Sequence, residues 1–100
     1  MLKIYSVFLE MVAEVNALGI PDRDLARQIR RSSMSVALNV AEGSAVRDGR
    51  RRVRYGDALG SAMETRAAVE VAVAVGYLKA MPSGLRQQLG LIIGTLRKLV

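Results

Sequence analysis

The densest chemical character in the chain lies in one octapeptide. Residues 47–54 read Arg-Asp-Gly-Arg-Arg-Arg-Val-Arg, and their five arginines against one aspartate supply +4 of the formal net charge of +6. A guanidinium is planar and presents paired donors, so clustered arginines suit phosphate or carboxylate oxygens. If a helix already starts here, Arg47, Arg50, Arg51 and Arg54 share one face at i, i+3, i+4 and i+7. Like charges at that spacing repel by about a few tenths of a kcal/mol per pair, and cations at a helix N-terminus oppose its dipole. An anion held by these side chains and by the free amides of the helix start would relieve both effects. Arg47, Arg50, Arg51, Arg52 and Arg54 are therefore the candidate nucleic-acid-binding residues. The competing reading is a solvated charged turn in which Arg54 or Arg50 binds Glu42. Tyr55 is the nearby aromatic, and its helical position points it toward an apolar flank rather than toward a stacked base.

A second set of polar residues is spread along two helices. At about 100° per residue, Gln28, Arg31, Ser35, Asn39 and Glu42 fall on one narrow arc, and Arg54, Asp57, Ser61, Glu64 and Ala68 form the matching arc of the next helix. Apolar residues flank each stripe on both sides. Leu25, Ile29, Val36 and Val40 oppose Met34, Leu38 and Ala41 on the first helix; Ala58, Ala62, Val69 and Val73 oppose Met63, Ala67, Val71 and Leu78 on the second. Antiparallel pairing about a turn near residues 45–48 lays the stripes against each other. Glu42 then comes near Arg50 or Arg54, Arg31 near Glu64, and the small residues Ser35, Gly60 and Ser61 meet in the middle. The paired acids Glu42 and Glu64 have no evident substrate pocket or metal partner, so Gln28, Arg31, Ser35, Asn39, Glu42, Ser61 and Glu64 read as a structural polar seam.

Composition removes most familiar chemistry. The 100 residues contain no histidine and no cysteine. That excludes a serine–histidine–acid triad, a thiol nucleophile, an ordinary zinc site and a carboxylate–histidine di-iron site. A glycine-rich phosphate loop is absent too. No enzymatic activity, cofactor or metal is expected. Twelve of the fifteen cations are arginine, and a sequence pI of about 10.5 favours an anionic partner, RNA or DNA first. Codon bias in a GC-rich genome would enrich arginine equally well. Without a disulfide framework or a signal-peptide apolar core, a cytoplasmic protein is expected. The most apolar window, residues 67–81, carries Glu70 and Lys79 and is 15 residues long, short of the ~20 a membrane span needs; no membrane partner is expected.

Positioning these residues requires four helices. The first runs from about Leu2 to Leu18, with Ile4, Phe8, Met11, Val15 and Leu18 on one face, and ends at Gly19-Ile20-Pro21. Asp22 or Asp24 caps the second, which reaches about Glu42. The third runs from about Arg50 to Leu78; its Val71–Val75 stretch suits a strand, but nothing nearby could pair with one. After Met81-Pro82-Ser83-Gly84 the fourth presents Leu85, Leu89, Ile92, Ile93, Leu96 and Leu99 on one face. Short connections make the fold all-α, an antiparallel up-down-up-down four-helix bundle forming one domain over residues 1–100. Its 51% hydrophobic content exceeds what one such core needs, at about three positions in seven, and predicts a homo-oligomer. The GxxxG spacings Gly56/Gly60 and Gly90/Gly94 predict close helix packing.

The run Gln28 to Ser44, QIRRSSMSVALNVAEGS, closely resembles the signature of small four-helix-bundle proteins encoded in intervening sequences of bacterial 23S ribosomal RNA genes. The signature residues correspond to Gln28, Arg31, Ser35, Asn39, Ala41, Glu42 and Gly43. Gly60-Ser61-Ala62-Met63-Glu64 and Gly76-Tyr77-Leu78 resemble the family's third-helix pattern, so the likeness covers roughly residues 25 to 80. Relatives include the accessory variability protein of diversity-generating retroelements. The resemblance implies a ring-like homopentamer without assigned activity; the retroelement relatives are basic and work with a reverse transcriptase and nucleic acid. The chain departs from the pattern in lacking a tryptophan-containing segment near its start, in carrying Asp57 where an apolar residue is usual, and in its arginine-rich loop. A non-enzymatic oligomer is expected, binding nucleic acid or a reverse-transcriptase-like protein through the arginine-rich connection. The alternative is a structural or protein-binding scaffold without nucleic-acid affinity.

Overall fold

The computed structural model describes residues 3–100, and these form four helices: α1 (Tyr5–Asn16), α2 (Arg23–Ser44), α3 (Gly49–Ala74) and α4 (Ser83–Leu99). No strand occurs among the described residues, so the all-α expectation holds. Each helix packs on its neighbours in chain order, and α4 returns to α1. Contacts between α2 and α3 run in opposite chain directions, Ser32 with Thr65 at one level and Glu42 with Arg54 at another. The result is an elongated up-down-up-down arrangement of 43 × 24 × 18 Å.

Local chemistry explains the helix ends. Gly19 adopts φ +69° after α1, a left-handed conformation that favours glycine. The Asp22 side chain then caps α2 by accepting from the Leu25 amide at 2.7 Å. Asp48 does the same for α3, accepting from the Arg50 amide at 2.9 Å. The expected third helix is corrected at its far end: it stops at Ala74, not near Leu78. Gly76, at φ +89°, closes it, with Tyr77 N–H donating to Ala72 C=O at 2.8 Å and Gly76 N–H to Val73 C=O at 3.1 Å. This pair of bonds satisfies the last carbonyls and turns the chain out of the helix. At the other boundaries, α1 is confined to Tyr5–Asn16 and α2 extends two residues beyond Glu42; Leu2, the expected start of α1, lies outside the described residues.

One flank of each polar stripe builds the core. Ile29, Val36 and Val40 of α2 and Ala58, Ala62 and Val69 of α3 are buried with Phe8, Met11 and Val15 of α1 and Leu85, Leu89, Ile92 and Leu96 of α4. Each large side chain contributes about 1.5–3 kcal/mol by leaving water. The other flank stays uncovered: Met34 is 45%, Leu38 59%, Met63 39% and Val71 49% exposed. The GxxxG expectation fails within the chain. A Cβ at Gly60, Gly90 or Gly94 would meet nothing within 4 Å, and one at Gly56 only Val100 Cγ1 at 3.9 Å. Gly60, Gly90 and Gly94 face outward, and Gly56 lies beside Val100 at ordinary contact distance.

Candidate functional site

The α2–α3 connection divides its arginines by role. Arg51 turns inward, donating from Nε to the carbonyls of Val46 (2.7 Å) and Gly43 (3.1 Å) and from Nη2 to that of Ser44 (3.3 Å). Gly43 and Ser44 close α2, where helical carbonyls lack intrahelical partners and a cation complements the dipole, and Val46 lies in the connection just beyond the helix. Arg50 folds back on Asp48, with Nε 2.9 Å from Oδ1 and 3.1 Å from Oδ2. That guanidinium, with the Arg50 amide, holds the Asp48 carboxyl below its ordinary value. Arg54 pairs with Glu42 at 3.2 Å, so of the two partners considered for Glu42 the structure selects Arg54. Arg47 and Arg52 are exposed, and neither side chain makes a hydrogen bond or ion pair among the described residues.

The seam residues come together in part. Ser35 Oγ and Ser61 Oγ lie 2.9 Å apart, while Asn39 Nδ2 donates to both the carbonyl and the hydroxyl of Ser35 at 3.0 Å. Gln28, Arg31, Ser35, Ser61 and Glu64 line an open recess of about 250 Å³ between the helices. The expected Arg31–Glu64 contact is corrected: both side chains are exposed at the recess and form no ion pair with each other. The Glu42–Arg54 pair is half-exposed, so it contributes about 0–1 kcal/mol rather than the several kcal/mol of a buried pair. Gly60 does not join the centre of the seam, since it faces open space.

Below this stripe lies a layer that stripe counting missed. Ser32 and Thr65 are buried; Thr65 Oγ1 donates to Ser32 Oγ at 2.8 Å and lies 2.8 Å from the Ser61 carbonyl. Ser32 precedes Ser35 by one turn and Thr65 follows Ser61 by one turn, a spacing that signals hydroxyls on a shared face. Close approach instead occurs at Gly43, where an added Cβ would fall 2.7 Å from Tyr55 Cε1. The Tyr55 ring is buried there, and its hydroxyl lies 3.0 Å from Ser44 Oγ.

No helix among the described residues is long and apolar enough to cross a membrane.

Three comparisons bear on this arrangement. The chain is similar in fold to the crystal structure of a protein of unknown function from the S23 ribosomal protein family of Bacteroides thetaiotaomicron. The TM-score is 0.67 over 96% of this chain and 90% of that one, at 18% sequence identity. A comparison with curated proteins found no match. The model of the family described as 23S rRNA-intervening sequence protein matches residues 2–94, a span containing the complete hydroxyl-lined seam and the arginine-rich connection. With that match over nearly its whole length, the chain belongs to the 23S rRNA-intervening sequence protein family.

Proposed function

We propose that this chain is the subunit of a non-enzymatic cytoplasmic homo-oligomer whose arginine-rich end contacts nucleic-acid phosphates. The observation that carries the phosphate reading is the state of Arg47, on the α2–α3 connection, and Arg52, in the first turn of α3: both are exposed, and neither has an acid partner among the described residues. An exposed guanidinium can meet a phosphodiester oxygen without first breaking an internal ion pair. Self-assembly is supported by Met34 and Leu38 of α2 and Met63 and Val71 of α3, whose half-exposed side chains form an uncovered apolar flank. Repetition of the basic end around a ring, a pentamer as the family resemblance implies, would multiply weak interactions. The absence of histidine and cysteine supports the non-enzymatic reading.

Two measurements test this. Fluorescence anisotropy with labelled single-stranded RNA and duplex DNA across a salt series should show binding with a steep salt dependence. Arg47→Gln with Arg52→Gln should reduce the slope by about one unit for each phosphate left unneutralised. Lack of wild-type affinity at low salt would leave the protein-binding scaffold as the better reading. Light scattering should give a multiple of 10.8 kDa, and a stable monomer at micromolar concentration would remove the assembly part.

A further inference from the structure

The last turn of α4 carries Arg97 and Lys98, both exposed. Sequence separates them from the connection by more than forty residues, but the fold delivers both segments to one end of the molecule. Leu99 shares an open groove of about 370 Å³ with Asp48, Gly49, Arg51, Arg52 and Tyr55. A Cβ on Gly56 would lie 3.9 Å from Val100 Cγ1, so α4 ends directly against the first two turns of α3. Arg97 and Lys98 make no side-chain hydrogen bond or ion pair among the described residues.

We infer that Arg97 and Lys98 of α4, with Arg47 of the α2–α3 connection and Arg52 of the first turn of α3, form one two-sided binding surface for a nucleic-acid phosphodiester backbone. The inference rests on the phosphate reading above and extends it to a second helix. Two of the acids at this end are engaged, Asp48 by Arg50 and Glu42 by Arg54; Asp57 is exposed on α3. Arg52 lines the groove, Arg47 directly precedes its Asp48, and Arg97 and Lys98 directly precede its Leu99. Unengaged cations from separate segments thus gather at one end of the molecule, within reach of successive phosphates along a strand. Readout is indifferent to sequence. Tyr55 lines the groove but is only 4% exposed, its ring lying against Gly43. Tyr5 is partly buried, with its ring packed on Phe8 at 6.3 Å between centres. No fully exposed ring among the described residues therefore stands beside these cations for stacking. The groove opens between α3 and α4, whereas the uncovered apolar flank spans α2 and α3. Phosphate binding and self-assembly therefore use different surfaces.

Arg97 and Lys98 also complement the α4 dipole, so the test must separate phosphate binding from helix stability. Anisotropy against salt is measured for three double variants: Arg97→Gln/Lys98→Gln, Arg47→Gln/Arg52→Gln, and Lys79→Gln/Arg86→Gln. The last pair lines a recess at the opposite end, beside Glu70, and removes the same formal charge. The α4 variant should weaken binding several-fold and flatten the salt slope by about one unit for each phosphate left unneutralised, with its thermal midpoint close to wild type. The opposite-end variant should keep the wild-type slope. If the connection variant weakens binding and the α4 variant does not, this inference is overturned while the phosphate reading stands. No wild-type binding overturns both. Equal weakening in the α4 and opposite-end variants, or equal binding to polyglutamate, would reduce the surface to net charge and overturn it as a phosphodiester site.

Discussion

Gly43 lies under the ring of Tyr55 so closely that a single added methyl group would fall 2.7 Å from Cε1 and 2.8 Å from Cδ1. This close approach lets the C-terminal turn of α2 rest on the first turns of α3. Glu42, one residue earlier, reaches Arg54 at 3.2 Å. The Ala-Glu-Gly end of the α2 signature thus has a physical rationale: the glutamate pairs across the helices and the glycine admits the tyrosine ring.

Gly43→Ala should destabilise the fold by about 1–3 kcal/mol, as overpacking of a filled space does. Gly60→Ala should be neutral or slightly stabilising, because open space surrounds that position and alanine is the better helix former by about 1 kcal/mol. Chemical denaturation of both variants checks the contrast. Equal stability changes would mean that the tyrosine ring moves aside freely.

Arg51→Gln should cost about 1–2 kcal/mol by removing the charge-assisted bonds to the carbonyls of Gly43 and Ser44 at the end of α2 and of Val46 in the connection. Arg47→Gln and Arg52→Gln should each stay within about 0.5 kcal/mol of wild type, as exposed side chains without partners do. A binding study that includes Arg51 in one combined neutralisation would therefore mix unfolding with weakened phosphate binding. Urea midpoints of the three single variants separate these effects.

Thermodynamic cycles should distinguish the two proposed seam pairs. Ser35→Ala with Ser61→Ala should show a coupling of about 0.5–1.5 kcal/mol, given hydroxyls 2.9 Å apart. Arg31→Ala with Glu64→Ala should be additive within about 0.5 kcal/mol, since no ion pair joins them. A strong Arg31–Glu64 coupling would show that the pair closes across the recess in solution.

The acid limb of stability should contain a contribution from Asp48. Its folded-state pKa is lowered, first by the Arg50 side chain. Its stabilising contribution is therefore present above the unfolded carboxylate value of about 4 and is lost as pH falls through the lower folded value. Asp48→Asn keeps a side chain able to cap α3 and removes the titration. Its thermal midpoint should fall less steeply than wild type below about pH 4. Identical acid limbs would show that other carboxylates dominate there.

Much of this molecule follows from periodicity, because helical phase is a local property of the chain. The angular positions of Ile29, Val36 and Val40, and of Ala58, Ala62 and Val69, identify one side of each stripe as core before any packing is known. The short connection then implies the antiparallel register that brings Ser35 to Ser61 and Glu42 to Arg50 or Arg54, a choice that the packed side chains settle in favour of Arg54. Angular position does not specify how far a long side chain extends or which carbonyl it reaches. Arg51 therefore turns back to cap α2, and Arg31 stops short of Glu64. Nor does phase choose between two equally apolar flanks; α1 and α4 cover one and leave Met34, Leu38, Met63 and Val71 exposed. Gly43 under Tyr55 and Leu99 beside Arg52 depend on two helices meeting end to end. These relationships arise from long-range packing, which spacing within a single helix does not encode.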